Sequence, residues 1–142
     1  LSEAVQHGRC LCGAVTVSGR LGQDMSACFC TMCTRWSGTV QMGIDAPADT
    51  VVVNGPVKTY RSSPFSERAW CDTCGSALWL RDDGGDYEFV PGLFENAGGG
   101  RLTRIVYADR KPGGWDFADV PVRITAAEYE KKHPFIPEGE MP

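Results

Sequence analysis

Seven cysteines in 142 residues, none of them isolated, restrict this chain more than any other feature. They form three tight groups: Cys10 with Cys12, Cys28 with Cys30 and Cys33, and Cys71 with Cys74. An odd number at such short spacings cannot pair off completely as disulfides. It suits metal binding in a reducing compartment better than a secreted disulfide framework. Seven thiols divide most simply into four plus three. Four thiolates close a tetrahedron, as structural zinc sites do, whereas a three-ligand site keeps a position open for water or substrate. Cys28-Phe29-Cys30-Thr31-Met32-Cys33 is therefore read as the working metal site, and Cys10, Cys12, Cys71 and Cys74 as the site that holds the fold.

The length fits a single domain over 1–142 with a modest core, its proline-rich stretch 134–142 forming a loosely held tail. Charge is nearly balanced, with 14 basic and 18 acidic residues and a formal net of −4. Thiolates at the metal sites would make it more acidic still. Without a Lys/Arg block, the chain lacks the electrostatic footprint of a nucleic-acid binder. No apolar run is long enough to span a membrane, and the amino end shows no signal-peptide pattern. The expectation is a cytoplasmic protein.

Many short apolar runs with Gly/Pro punctuation predict a mainly β fold with short helical turns. Over Val5–Val17, Leu11, Val15 and Val17 alternate with Cys10, Cys12 and Thr16. That period of two predicts a strand with both thiols on one side, and a tight turn at Gly13. Met25–Cys30 reads as a strand. Thr31 is read as the cap of a helical turn through Trp36, which Gly38 stops. Strands are predicted over Thr39–Ile44 and Thr50–Val53. Asn54-Gly55 signals a hairpin returning along Val57–Arg61. Cys71–Gly75 reads as a metal knuckle followed by a strand over Ser76–Leu80, with further strands at Tyr87–Val90 and Ile105–Ala108. The glycine-rich stretch Asn96–Gly100 is expected to be a mobile loop, Pro112–Trp115 a turn, and Glu128–His133 a helical turn.

The two sites call for different chemistry. An ion on the C-x-C and C-x-x-C-G pairs would tie the first hairpin to one far along the chain, offsetting the entropy of closing that loop. A four-thiolate iron site or merely buried thiols are the alternatives. Three thiolates on a dication leave a net negative unit, a weak Lewis acid towards water that favours a soft ligand such as a substrate thiolate. Such an ion keeps a sulfur deprotonated yet nucleophilic, which points to carbon–sulfur bond making or breaking rather than hydrolysis. A second structural ion completed by His7 or His133, the only histidines, is the competing reading.

The stretches Gly8-Arg9-Cys10-Leu11-Cys12-Gly13-Ala14-Val15, Cys28 to Cys33 and Cys71-Asp72-Thr73-Cys74-Gly75-Ser76 resemble, in order and spacing, the glutathione-dependent formaldehyde-activating (GFA) family. That family also includes centromere protein V. The resemblance runs over roughly residues 8–123, with Ala108–Pro112 and Trp115 similar to a late family segment. It implies a β-tent fold of small antiparallel sheets pinned by zinc. It further implies two zinc ions: a structural one on Cys10, Cys12, Cys71 and Cys74, and a catalytic one, open to partial occupancy, on Cys28, Cys30 and Cys33. The implied activity is that of a carbon–sulfur lyase joining glutathione to formaldehyde as S-(hydroxymethyl)glutathione. One departure stands out. Phe29 occupies a position where many members carry a polar residue, often His, so the motif has no proton carrier and a more apolar substrate comes into view.

Glutathione carries two carboxylates, which nominates Arg35, Arg61 and Arg68 as substrate-binding cations, each weighed against a plain surface arginine. Trp36, Phe65, Trp70, Trp79 and Trp115 are read first as core and second as pocket lining. The expected partners are a small thiol, glutathione or similar, and an aldehyde, with no nucleic acid or membrane; a homodimer is left open. The rival functional class is a non-catalytic zinc-stabilised scaffold or partner-binding module. A zinc-ribbon nucleic-acid binder conflicts with the net charge.

Overall fold

A computed structural model of the chain describes residues 4–140. In chain order its elements are β1 (Gln6–Arg9), β2 (Thr16–Gly19), β3 (Asp24–Cys28), α1 (Thr31–Ser37), β4 (Gln41–Ala46), β5 (Val52–Asn54), β6 (Val57–Arg61), β7 (Ser66–Cys71), β8 (Ala77–Asp82), β9 (Tyr87–Phe89), β10 (Arg101–Val106), β11 (Val122–Ile124) and α2 (Ala126–Glu130). The fold is mainly β, as expected. No helix among the described residues is long and apolar enough to cross a membrane.

The chain forms two compact units from alternating stretches. The first takes the residues up to Met25 with Gly43–Arg101, the second Ser26–Met42 with the residues from Leu102 onward. In the first unit β1-β2-β5 make a three-stranded antiparallel sheet, and β4-β9-β8-β7-β6 make an antiparallel run. Fully buried Val15, Leu21, Ile44, Leu78 and Phe89 fill its core. The Phe89 ring meets Trp79 and Phe94 edge-on at 6.1 and 5.6 Å, a favourable arrangement of aromatic quadrupoles. Trp79, 5% exposed, is core, as the composition of a small β fold leads one to expect.

In the second unit the strand order is β11-β10-β3-β4, and β10 pairs with β11 in parallel. Its core gathers Ala27, Phe29, Ile105, Val106, Tyr107 and Ala126 with Cys30 and Cys33. Helix α1 ends at Gly38, left-handed with φ 81° and donating to Thr34 O, as predicted. Its cap is Cys30, not Thr31, because the Cys30 sulfur accepts the Cys33 N–H. Helix α2 begins earlier than expected, behind a Thr125–Glu128 capping box.

Three sequence expectations fail for physical reasons. Cys10–Val15 is a turn, not a strand. Cys10 N–H donates to Val15 O at 3.1 Å, and Gly13, at φ 80°, donates to Cys10 O at 3.1 Å. The apolar alternation misled because Leu11 is 83% exposed while Val15 is fully buried. Asn54-Gly55 does not close a hairpin: β5 pairs with β2, and β6 pairs with β7. The turn instead carries the chain from one sheet to the other, with Gly55 at φ 109° and no room for a Cβ, which would lie 2.1 Å from Ala14 O. The stretch expected as a mobile loop, Asn96–Gly100, is built of hydrogen-bonded turns, Ala97 N–H on Phe94 O and Gly100 N–H on Ala97 O, with Asn96, Ala97 and Gly98 left-handed. Gln6 donates to Gly98 O at 3.0 Å, and a Cβ on Gly98 would strike Leu21 at 2.3 Å, so glycine there admits close packing on the core. The expected tail carries a 3-10 turn at Glu138–Glu140; Met141 and Pro142 lie outside the described residues.

Gly55→Ala combines a disfavoured φ with a backbone clash. We expect it to cost more than about 1 kcal/mol and to lower the melting temperature by at least roughly 2 °C. An unchanged melting temperature would mean that the turn relaxes around a methyl group.

Candidate metal centres

Each cysteine group converges where its local structure turns. In the first unit the sulfurs of Cys10, Cys12, Cys71 and Cys74 all lie within 4.8 Å of one another. Cys10 and Cys12 stand 3.6 Å apart, and Cys12 and Cys71 3.9 Å. A regular tetrahedron of thiolates about 2.3 Å from zinc has edges of about 3.8 Å, so these spacings fit a single four-coordinate ion. The Cys10–Val15 turn supplies one pair. The other comes from the end of β7, where Gly75 N–H closes a turn on Cys71 O at 2.8 Å.

Ser76 links the two turns, a role that sequence reasoning passed over. Its hydroxyl accepts Leu11 N–H at 3.0 Å and hydrogen-bonds with Cys74 Sγ at 3.2 Å. Ser76, through its hydroxyl and its backbone, holds the Cys74 thiol down at about 5. Cys12 goes the other way. The Ala14 N–H favours its thiolate, but burial and the surrounding cysteines push it up to about 11. The two thiols are thus driven apart, one towards thiolate and one towards thiol, and a cation would favour the thiolate of both.

In the second unit Cys28, Cys30 and Cys33 converge within the same 4.8 Å. Cys28 ends β3, Cys30 caps α1, and Cys33 lies one turn into it. Cys30 and Cys33 are buried and Cys28 is half-buried. Hydrogen bonding from Cys30 and Cys33, then burial, raise the Cys28 thiol well above its ordinary range. Among the described residues no histidine, carboxylate or further cysteine joins this group, so neither His7 nor His133 completes it. His7 sits on β1, and the His133 ring stacks on Tyr129 at 4.3 Å. The site has three ligand atoms and an unclaimed fourth position.

Backbone amides reinforce both groups. Val15 N–H donates to Cys10 Sγ at 3.3 Å; Ala14 to Cys12, Cys30 to Cys28, and Cys33 to Cys30 each do so at 3.4 Å. Such bonds favour the thiolate and orient it, as outer partners of metal ligands do.

Around the three-cysteine group stand aromatic residues, of which Phe117 and Tyr107 were not singled out from the sequence. The Phe29 ring contacts Trp115 at 5.5 Å and Phe117 at 6.2 Å, and those two meet edge-on at 5.3 Å. Trp115 keeps 40% of its surface exposed, in line with its expected place at a surface turn. Tyr107 is buried, at 4% exposure, and sits in the left-handed region with φ 55°. That conformation costs a bulky residue about 1–3 kcal/mol and marks a functional candidate. Its only sequence signal was its position at the end of an apolar strand.

The three arginines nominated for carboxylate binding are placed differently. Arg35 is exposed in the last turn of α1, two residues beyond Cys33. Arg61, on β6 in the first unit, grips both oxygens of Asp83 at 2.8 and 2.7 Å and also donates to Pro64 O. Arg68, on β7 in the same unit, is 3% exposed. Both thus lie in the first unit, and Arg61 is engaged by a carboxylate of that unit.

A mainly β chain carrying a four-sulfur and a three-sulfur group, each shaped for one ion, defines a narrow class. The chain belongs to the family of the glutathione-dependent formaldehyde-activating enzyme, whose profile matches residues 5–99. It is 30% identical over 129 residues to a Schizosaccharomyces pombe protein named an uncharacterized lyase, covering 88% of this chain and 94% of that one. A Halomonas elongata protein, named "Putative glutathione-dependent formaldehyde-activating enzyme", is 36% identical over 88 residues, covering 54% of this chain and 55% of that one. The crystal structure of a Rhodobacter sphaeroides protein shares the fold, with a TM-score of 0.54 and 19% identity over 84% of this chain and 99% of that chain.

Cys71→Ser is expected to reduce bound zinc from two ions to one per chain and to leave insoluble protein; soluble, folded variant would remove the structural assignment. Ser76→Ala should preserve the four sulfurs but weaken zinc retention by about 10–100-fold, measured by competition with a chromogenic chelator.

Proposed function

We propose that this chain makes and breaks a carbon–sulfur bond between a small thiol, glutathione or a close relative, and formaldehyde or another aldehyde. The observation that carries the reading is the Cys28, Cys30 and Cys33 group, three sulfurs in ligating geometry that no fourth ligand joins among the described residues. The family membership and the names of the two relatives support it. Zinc held by Cys28, Cys30 and Cys33 would supply a position for the substrate sulfur and keep it deprotonated near neutral pH. Cys10, Cys12, Cys71 and Cys74 would hold a second, structural zinc.

The chemistry balances simply. The thiolate sulfur attacks the carbonyl carbon, one carbon–sulfur bond forms, and the carbonyl π pair moves to oxygen, which takes up a proton. The lytic direction reverses each change. Arg35 is proposed as a contact for a substrate carboxylate, because it is exposed on the helix that bears Cys33. Phe29, Trp115 and Phe117 give the same unit an apolar wall, suited to keeping water from a carbonyl carbon or to receiving an aldehyde larger than formaldehyde.

Exchange among formaldehyde, glutathione and their adduct, followed by NMR, tests the reading. Wild type should accelerate it and Cys30→Ser should not, with the structural zinc retained. Equal rates with wild type, with Cys30→Ser and without protein would leave the non-catalytic scaffold.

A further inference from the structure

We propose that Cys12 is an oxidant-sensitive thiol: a hydroperoxide converts the four-cysteine group to a Cys12–Cys71 disulfide, which gives up the ion but keeps the same two turns joined. The inference builds on the structural zinc proposed for that group and is independent of the carbon–sulfur reaction.

Access to the seven sulfurs is uneven. Cys12 is the one exposed cysteine of the chain, whereas Cys10 and Cys71 are buried and Cys74 is half-buried. The Cys10–Val15 turn is the cause. It aims Cys10 at the core, where Val15 N–H donates to its sulfur at 3.3 Å, and leaves Leu11, Cys12 and Ala14 exposed. The second unit has no comparable opening, since Cys30 and Cys33 are buried and Cys28 is half-buried. A small polar oxidant in solvent therefore meets Cys12 first. Metal binding holds a cysteine as its thiolate, the form that attacks a peroxide.

Two sulfurs lie close to that of Cys12, Cys10 at 3.6 Å and Cys71 at 3.9 Å. A bond to Cys10 would close a small ring inside a turn already fixed by Cys10 N–H on Val15 O and Gly13 N–H on Cys10 O. Cys71 lies on the facing turn. A disulfide about 2.05 Å long asks the Cys12 and Cys71 sulfurs to approach by about 2 Å, a side-chain movement on an exposed turn.

In the first step the peroxide O–O bond breaks and a sulfur–oxygen bond forms at Cys12, while the other oxygen leaves as water or an alcohol. The Cys71 sulfur then attacks the Cys12 sulfur. The S–S bond forms, the sulfur–oxygen bond breaks, and the oxygen departs as water. The peroxide is reduced, two thiols are oxidised, and their two hydrogens end in the products. Cys10 and Cys74 alone remain, too few for a closed four-coordinate site. The new bond joins residues 59 positions apart, so the first unit keeps its long-range cross-link. Two equivalents of a small thiol reverse the change by exchange.

Treating the zinc-loaded chain with stoichiometric hydrogen peroxide tests the proposal. One zinc ion of two should pass to a chromogenic chelator, and the intact mass of the monomer should fall by two hydrogens. In a non-reducing tryptic digest, segments 10–20 and 69–81 should appear joined, with fragmentation placing the bond between Cys12 and Cys71. Thermal melting should stay cooperative after the zinc is lost, and excess glutathione with zinc should restore the two-ion form. A bond within 10–20, earlier oxidation at Cys28, Cys30 or Cys33, or no oxidation where free cysteine is oxidised, overturns the proposal. These readouts need no substitution in the cage, so they do not depend on a variant that folds. Absence of zinc from the four-cysteine group of the reduced chain overturns the structural-zinc reading instead, and the digest then decides the disulfide by itself.

Discussion

Four sulfurs held within 4.8 Å of one another are the constraint on which the first unit depends. Two of them come from the Cys10–Val15 turn and two from the end of β7, so bringing them together closes a loop of some sixty residues through one point. Crowded thiols do not attract one another. In the folded chain their convergence is paid for by backbone hydrogen bonds, by Ser76 between the two turns, and by the ion the geometry fits. With zinc in place as proposed, metal affinity and folding free energy become the same quantity. A domain whose core is filled mainly by Val15, Leu21, Ile44, Leu78 and Phe89 has few other cross-links of comparable reach.

The three-cysteine group uses the same side chain to a different end. Cys28 belongs to a strand end and Cys33 to a helix, with Cys30 as the cap between them, so the group is local in sequence and closes no long loop. Its value to folding is correspondingly small. That leaves it free of a long-range structural duty, in keeping with the reacting role proposed for it. The neighbouring Phe29, Trp115 and Phe117 rings make its surroundings apolar.

The cysteine groups were legible in the chain because thiol spacing constrains geometry more tightly than apolar pattern does. Glycines 13 and 38 were legible for a similar reason: a left-handed residue next to a turn or at a helix end has few substitutes. What escaped was pairing. Asn54-Gly55 carries the local chemistry of a hairpin, yet β5 belongs with β2, and only the first sheet's need for a third strand makes that so. The parallel partner β11 offered three residues and no period of its own. Leu11 looked like core because it is leucine; the turn that aims Cys10 inward turns Leu11 out. The left-handed backbone of Tyr107 was invisible too, since a positive φ leaves no mark on a single sequence.

The hydrogen bonds that hold the sulfurs come from main-chain amides of Ala14, Val15, Cys30 and Cys33. A main-chain donor is indifferent to the side chain it carries, provided that residue is not proline. The ligand cages are therefore insulated from most changes in the residues between the cysteines. Phe29 makes none of the amide-to-sulfur bonds, so its side chain can change without disturbing one. Such an arrangement separates what must persist from what can drift: the cage is set by backbone geometry, while the side chains between the cysteines are left free to shape the lining.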